Sequence, residues 1–192
     1  MTFDEAVAAL ERGGVAVVPT DTVYGLAASP SAPGGVAQLF RLKGRDRAKA
    51  IPVLAPGASE LEAVAVFDAR ARRLGARFWP GALTLVLARA PGFDADLGGA
   101  APTVAVRVPD HPVVLELLRR TGPLAVTSAN LSGEPPLTTA DSARAVFGQD
   151  VVVLEGGTCD GAASTVLDLT GEPRVLREGA LDANAVLQAS MS

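Results

Sequence analysis

Apolar residues recur at helical spacing in some stretches of the chain and in short continuous or alternating runs in others. Phe3, Val7 and Leu10 form an apolar stripe behind a Thr2–Glu5 capping pattern, which is typical of an amphipathic helix. Similar stripes predict helices at residues 2–12, 36–42, 68–78, 112–120, 139–147 and 182–188, and a Ser59–Glu62 capping pattern predicts a further one. The other runs predict strands at residues 15–18, 51–54, 83–87, 103–108, 124–127, 151–154, 165–169 and 174–176.

Helices and strands that interleave along a chain in this way indicate the α/β fold class. The strands near residues 165 and 175 follow each other too closely for a helical crossover, so we expect a mixed sheet. The length of 192 residues favours a single domain over residues 1–192.

A cluster of short polar side chains follows the first predicted strand. The apolar run 15–18 stops at Pro19, and Thr20, Asp21 and Thr22 come directly after it. A buried strand that ends in such a cluster is a common way to build a ligand site. A plain turn, in which Asp21 and Thr22 bond the local backbone, explains the pattern equally well.

A second polar stretch, residues 41–49, carries a basic residue at every second position and about +4 of charge, in a chain whose net charge is −4. In an extended segment this spacing directs all five basic side chains to one side. A local positive cluster in an acidic protein indicates an anionic ligand, and the mixture of Lys and Arg suits a polyphosphate. A solvated surface loop is the alternative.

Two later strands also carry polar groups. Arg107 and Thr103 share the polar side of the alternating run 103–108, so the two side chains are predicted to face one ligand, unless Arg107 is a surface residue of an edge strand. Ser128 and Asn130 follow the run 124–127 and repeat the arrangement seen after the first strand.

Composition narrows the possible chemistry. A single cysteine, Cys159, and a single histidine, His111, exclude an internal disulfide and multi-histidine or thiolate metal sites. The negative net charge argues against a dedicated nucleic-acid binder, and the sequence has no Walker-type phosphate loop. Because no apolar run approaches the length of a membrane span, we expect no membrane contact and a cytoplasmic protein.

Three motifs carry a family resemblance: PTDTVYGL at residues 19–26, KGRDRAK at 43–49 and TSANLSG at 127–133. In this order and spacing they resemble the YrdC-like family of threonylcarbamoyl-AMP synthases, over a stretch from about Gly13 to Arg177. The resemblance implies a twisted mixed β-sheet flanked by helices, with a concave basic ligand cavity. It also implies the condensation of L-threonine, bicarbonate or CO2, and ATP into threonylcarbamoyl-AMP and pyrophosphate, for the threonylcarbamoyladenosine modification of tRNA.

The resemblance further assigns roles to individual residues. The catalytic cations of the basic motif would be Lys43, Arg45 and Lys49. L-Threonine would be bound by Thr22, Arg107, Val126 and Ser164. The nucleotide would be bound by Arg45, Lys49, Thr103, Ser128, Asn130 and Arg177. Mg²⁺ would accompany ATP by bridging its phosphates, with no protein ligand assigned, and tRNA or tRNA-modification proteins are predicted partners.

The sequence departs from the family pattern at Asp46 and Ala50, where relatives often carry proline, so the rigidity of this loop and its local field are expected to differ. The chain also resembles the short form of the family, which lacks a second C-terminal domain. Two other hypotheses stay open: an RNA-binding paralogue without adenylation activity, and a carbamoyl-adenylate enzyme of hydrogenase maturation. The single cysteine disfavours the second, because such proteins usually carry cysteine motifs.

Overall fold

The computed structural model describes residues 2–99, 102–148, 151–159 and 161–191. Within these ranges the helices are α1 (Phe3–Glu11), α2 (Gly35–Lys43), α3 (Ala58–Leu61), α4 (Ala69–Phe78), α5 (Pro112–Thr121), α6 (Ala140–Phe147) and α7 (Ala183–Met191). The strands are β1 (Val15–Val18), β2 (Gly25–Ala28), β3 (Val53–Leu54), β4 (Leu83–Ala88), β5 (Thr103–Arg107), β6 (Leu124–Ser128), β7 (Val152–Val153), β8 (Thr165–Asp168) and β9 (Arg174–Arg177).

These strands form one sheet in the order β7-β1-β2-β6-β3-β5-β4-β8-β9. The pairs β1–β7, β3–β5 and β4–β8 are parallel, and the other neighbouring pairs are antiparallel. The predicted α/β class with a mixed sheet is therefore confirmed. Strands β3, β5 and β4 lie next to one another in the middle of the sheet. The ends of these strands therefore lie close together, although the strands are far apart in the sequence.

Helices α1 and α5 cover one face of the sheet. Leu10 of α1 and Leu117 of α5 belong to a buried apolar cluster with Val18 of β1, Leu54 of β3 and Val126 of β6. The alternate residues of the same strands point to the opposite face, where they form a second cluster with helices α2, α4, α6 and α7.

The α1–α5 layer leaves part of its face of the sheet uncovered. On β4, β5 and β8 the side chains of Val86, Ala105 and Val166 are partly exposed, whereas their neighbours in the chain on the other face are buried. Thr84 and Arg107 lie on this uncovered side by the same alternation. The less covered part of this face therefore begins where the helical layer ends.

Two local predictions are wrong, and one strand has no counterpart among the predicted ones. Strand β2 was not predicted, because it consists of small residues directly after the polar cluster. Helix α3 begins one residue before Ser59, behind Gly57, so the predicted Ser59 cap is not formed. Residues 41–49 are not an extended segment, since Arg41 and Lys43 lie in the last turn of α2. Their alternate spacing therefore does not place the basic side chains on one side.

The described residues contain no helix with the length and apolar character needed to cross a bilayer.

Candidate functional site

A cavity of about 190 Å³ lies at the boundary between the covered and uncovered parts of the sheet. Polar side chains from separate strand ends line it together with a few apolar ones. The polar lining consists of Thr20, Thr22, Arg45, Thr84, Arg107, Thr127, Ser128, Ser164 and Arg177, and the other lining residues are Val23, Gly25, Pro52, Leu54, Val126, Pro136 and Ala163.

The loop after β1 is held in shape by the hydroxyl of Thr20. This hydroxyl donates to the Val23 carbonyl oxygen at 2.6 Å and accepts from the backbone N–H groups of Thr22 and Val23, each at 3.2 Å. Its oxygen also lies 3.0 Å from Thr22 Oγ1. A turn fixed in this way holds the Thr22 side chain against the cavity, so the polar cluster forms both a turn and part of the site.

Arg107, the last residue of β5, is 6% exposed. Its Nε donates to the Gly81 carbonyl oxygen at 2.9 Å, Nη1 donates to Thr22 Oγ1 at 3.1 Å, and Nη2 donates to Asp21 Oδ1 at 2.5 Å. Because β5 lies between β3 and β4, the interpretation of Arg107 as a surface residue of an edge strand is wrong. Asp21 likewise contacts Arg107 and is not simply a residue that bonds its local backbone.

Three guanidinium groups converge on the cavity: those of Arg45, Arg107 and Arg177. Burial lowers the pKa of each guanidinium group. The positive charge of Arg177 lowers the pKa of Arg45 further, and the positive charge of Arg107 lowers the pKa of Arg177 further. At Arg107 the carboxylate of Asp21 opposes the effect of burial. The cavity therefore has a strongly positive field that favours an anionic ligand.

Backbone carbonyl groups hold the other two arginines in place. Arg45 donates from Nε to the Lys49 carbonyl and from Nη2 to the Ala50 carbonyl, both at 2.9 Å. Arg177 donates from Nε and Nη2 to the Ser164 carbonyl at 3.0 and 2.9 Å, and from Nη2 to Ser164 Oγ at 3.1 Å. Because a carbonyl carries no net charge, both guanidinium groups remain available to neutralise an anion.

Lys43, which the family resemblance makes one of the catalytic cations, is not among the residues that line the cavity. Its side chain is buried, and the three N–H groups of Nζ are shared among four acceptors: the Ser128 carbonyl at 2.6 Å, Ser128 Oγ at 3.2 Å, the Asn130 carbonyl at 3.2 Å and Asn130 Oδ1 at 2.7 Å. Burial, and to a lesser degree Arg45, lower the pKa of Lys43 to about 8. Lys43, in the last turn of α2, thus holds the turn after β6 in place through its hydrogen bonds to Ser128 and Asn130.

Seven of the predicted site residues line this cavity: Thr22, Arg45, Arg107, Val126, Ser128, Ser164 and Arg177. Lys49, Thr103 and Asn130 are not among the lining residues. Lys49 is exposed, Asn130 is buried against Lys43, and Thr103 stands at the opposite end of β5 from Arg107, about 13 Å away along the strand. The ligand roles assigned to all these residues stay predictions.

From the sequence, Asp21 was only one member of the polar cluster after the first strand, with no contact assigned to it, and Thr84 was not singled out. Asp21 pairs with Arg107, and Thr84 lines the cavity from β4. Thr84 is the polar residue between Leu83 and Leu85 in an otherwise apolar strand, which is a signal for a site-facing hydroxyl. In the described part of the chain, no group of three or more His, Cys, Asp or Glu residues could hold a metal ion.

Residues 8–179 match the model of the Sua5/YciO/YrdC family, whose description is telomere recombination. The chain belongs to this family. A protein of Mycobacterium tuberculosis is 44% identical over 187 residues, which cover 95% of this chain and 86% of that protein. The threonylcarbamoyl-AMP synthase of Chromohalobacter salexigens is 40% identical over 168 residues, 86% of this chain and 91% of that enzyme.

A solved structure of the same family has the same fold. The crystal structure of P. abyssi Sua5 complexed with L-threonine matches with a TM-score of 0.92 and 34% identity over 97% of this chain. The chain spans 56% of that archaeal protein. The predicted membership of the YrdC-like family is confirmed, and with it the twisted mixed sheet flanked by helices.

Proposed function

We propose that the protein is an L-threonylcarbamoyladenylate synthase, a nucleotidyltransferase that condenses L-threonine, bicarbonate or CO2, and ATP. The observation that carries the proposal is the convergence of Arg45, Arg107 and Arg177 with strand-end hydroxyls on one cavity. Relatives that cover most of the chain bear the name of this activity. A site of this kind suits a substrate pair that contains one carboxylate and several phosphates.

The amino acid would bind in the part of the cavity next to the buried Arg107. The guanidinium of Arg107 would hold its carboxylate, beside Thr22, Val126 and Ser164. Ligand pockets for larger molecules usually have about 300–1,000 Å³, so the 190 Å³ of this cavity suits the smaller substrate. A solved relative bound to L-threonine supports this assignment of the substrate.

The nucleotide would extend from the cavity over the uncovered part of the sheet. Arg45 and Arg177 would neutralise its phosphates, and Ser128 would donate its hydroxyl, since Lys43 and Asn130 hold the turn that carries it. Lys49 and Thr103 are proposed nucleotide contacts on the family resemblance alone. Mg²⁺ would enter as part of the ATP substrate, bound by phosphate oxygens, because the described residues that line the cavity supply hydroxyls and guanidinium groups but no carboxylate.

The reaction needs two steps. The amine of L-threonine attacks the one-carbon unit, forming a C–N bond and releasing water from bicarbonate, which leaves a carbamate. A carbamate oxygen then attacks the α-phosphorus of ATP in line, and the bond from that phosphorus to the departing pyrophosphate breaks. Little covalent help from the protein is required, because positioning of the reactants and neutralisation of charge supply most of the rate.

The product, threonylcarbamoyl-AMP, is a mixed anhydride that an acyl-transfer reaction must consume. We propose tRNA as the final acceptor and tRNA-modification proteins as partners. RNA binding without adenylation is the competing hypothesis, and it would use the same positive cavity.

The test is pyrophosphate release from ATP by the purified protein, with each substrate omitted in turn. We expect release only when L-threonine and bicarbonate are both present, with threonylcarbamoyl-AMP identified by mass spectrometry. Pyrophosphate release that does not depend on L-threonine, or that does not depend on bicarbonate, would reject the proposal. Salt-sensitive RNA binding with no turnover would reject it as well.

A further inference from the structure

Thr84 forms a buried pair of hydroxyls with Ser164. The two oxygens, Thr84 Oγ1 and Ser164 Oγ, lie 2.8 Å apart, and the residues are only 4% and 6% exposed. Both residues line the cavity. Thr84 lies on β4, the neighbour of β5, with its side chain on the same face of the sheet as that of Arg107.

One hydroxyl hydrogen of this pair has no acceptor among the described residues. Each hydroxyl has one hydrogen to donate, and the contact between the two oxygens uses only one of the two hydrogens. Ser164 Oγ additionally accepts from Nη2 of Arg177, which fills an acceptor position and takes up no hydroxyl hydrogen. The remaining O–H group lies in the wall of the cavity, so a bound ligand would supply its acceptor.

The carboxylate of an amino acid does not need this donor. A guanidinium has five N–H groups, and Arg107 uses three of them, one each on Gly81, Thr22 and Asp21. One N–H therefore remains on each of its two terminal nitrogens, Nη1 and Nη2. These two can bind a carboxylate, which leaves the Thr84–Ser164 pair for another polar group of the ligand.

We infer that Thr84, paired with Ser164, is a specificity-determining residue that recognises the side-chain hydroxyl of L-threonine. The inference rests on the proposed function, since it names the group by which that site selects its amino acid. A site built to hydrogen-bond a substrate hydroxyl rejects an analogue without it, because its own buried polar groups are then left unpaired.

The experiment compares L-threonine with L-valine, which has a methyl group in place of the hydroxyl. The ratio of kcat/KM for the two amino acids is measured by pyrophosphate release, and their Kd values by calorimetry, for the unaltered protein and for Thr84→Val, Thr84→Ser and Ser164→Ala. We expect Thr84→Val and Ser164→Ala to lower the preference for L-threonine by roughly tenfold or more. Thr84→Ser keeps the hydroxyl and should keep the preference.

Thr84→Val nearly conserves the volume and suits a β-strand, so the variant is expected to fold, and thermal unfolding verifies this. An unchanged preference in Thr84→Val, or an equal loss with both amino acids, overturns the inference and leaves the proposed function standing. If the unaltered protein shows neither threonine-dependent turnover nor threonine binding, the proposed function fails and the inference fails with it.

Discussion

Asp21 and Arg107 form a buried ion pair at the edge of the proposed substrate cavity. Asp21 Oδ1 lies 2.5 Å from Nη2 of Arg107, and the two side chains are 15% and 7% exposed. Arg107 also faces the repulsion of neighbouring Arg177. The carboxylate of Asp21 therefore offsets the cost of burying a cation and fixes one terminal nitrogen of the guanidinium.

Removing the carboxylate should destabilise the protein. Asp21→Ala leaves the Arg107 cation buried without its counter-charge, and the loss of one partner of a buried pair usually costs about 3–5 kcal/mol. We expect the free energy of unfolding, measured by urea denaturation, to fall by roughly 3 kcal/mol, because Asp21 retains some exposure.

The control for this prediction is the ion pair between Asp4 and Arg120, in which the side chains are 81% and 42% exposed. Exposed pairs contribute about 0–1 kcal/mol, so Asp4→Ala should change the stability little. Equal losses in the two variants would contradict the structural account of Asp21.

Substitutions of two cavity arginines should separate the two substrates. We expect Arg107→Ala to raise the KM for L-threonine by roughly tenfold to a hundredfold with a smaller change for ATP, because a charge-assisted hydrogen bond contributes about 1.5–3 kcal/mol. Arg45→Ala should do the reverse. Steady-state kinetics with each substrate varied provides the measurement.

Lys49 provides a comparison for Arg45, since it is a nearby cation that is exposed and does not line the cavity. On this geometry Lys49→Ala should raise the KM for ATP less than Arg45→Ala does. An equal or larger effect would mean that Lys49 contacts the nucleotide, as the family resemblance predicts.

Lys43 should make the stability depend on pH. Its pKa is about 8 in the folded protein and 10.5 ordinarily, so between these values the unfolded chain holds more protons. The free energy of unfolding then rises with pH across this window. We therefore expect the free energy of unfolding of the unaltered protein, measured by denaturation at several pH values, to increase relative to that of Lys43→Met as the pH rises from 7 to 10. A constant or falling difference would contradict the lowered pKa.

Gly179 allows two segments of the site to approach closely. A Cβ atom at this position would overlap the carbonyl oxygen of Ala163, beside Ser164. Gly179→Ala should therefore lower the stability by about 1–3 kcal/mol and raise the KM for ATP, because it displaces the segment that carries Arg177. Gly171→Ala is the matched control, since among the described residues, apart from its two neighbours in the chain, no atom lies within 4 Å of the added Cβ. Similar losses in both variants would refute this explanation.

Much of the fold was predictable because its elements have strong local signals. The Thr2–Glu5 capping box forms as predicted, and the alternation in β5 identifies the side on which Arg107 lies. Strand β2 lacked such a signal. Its Gly25 is required by packing that comes from another strand, since a Cβ there would contact the Val126 side chain. A constraint of this kind cannot be read from neighbouring residues in the chain.

The sequence predicts the strand-end residues of the candidate site, but it does not predict which charged side chains face the cavity or pair with one another. Lys43 and Arg45 are two positions apart in one basic motif, yet helix α2 ends between them and turns Lys43 inward and Arg45 toward the cavity. The contact between Asp21 and Arg107 joins residues 86 positions apart, so it depends on the strand order. Residue type indicated the chemistry, and the topology decided which cations face the ligand.

A crystal structure of the protein with L-threonine and a non-hydrolysable ATP analogue tests most directly the claim that one cationic cavity binds both L-threonine and the phosphates of ATP. We predict that the carboxylate of L-threonine contacts the guanidinium of Arg107, and that the phosphates contact Arg45 and Arg177 in the same cavity. A structure in which either ligand binds elsewhere, or in which Arg107 contacts no carboxylate of the substrate, would contradict the account.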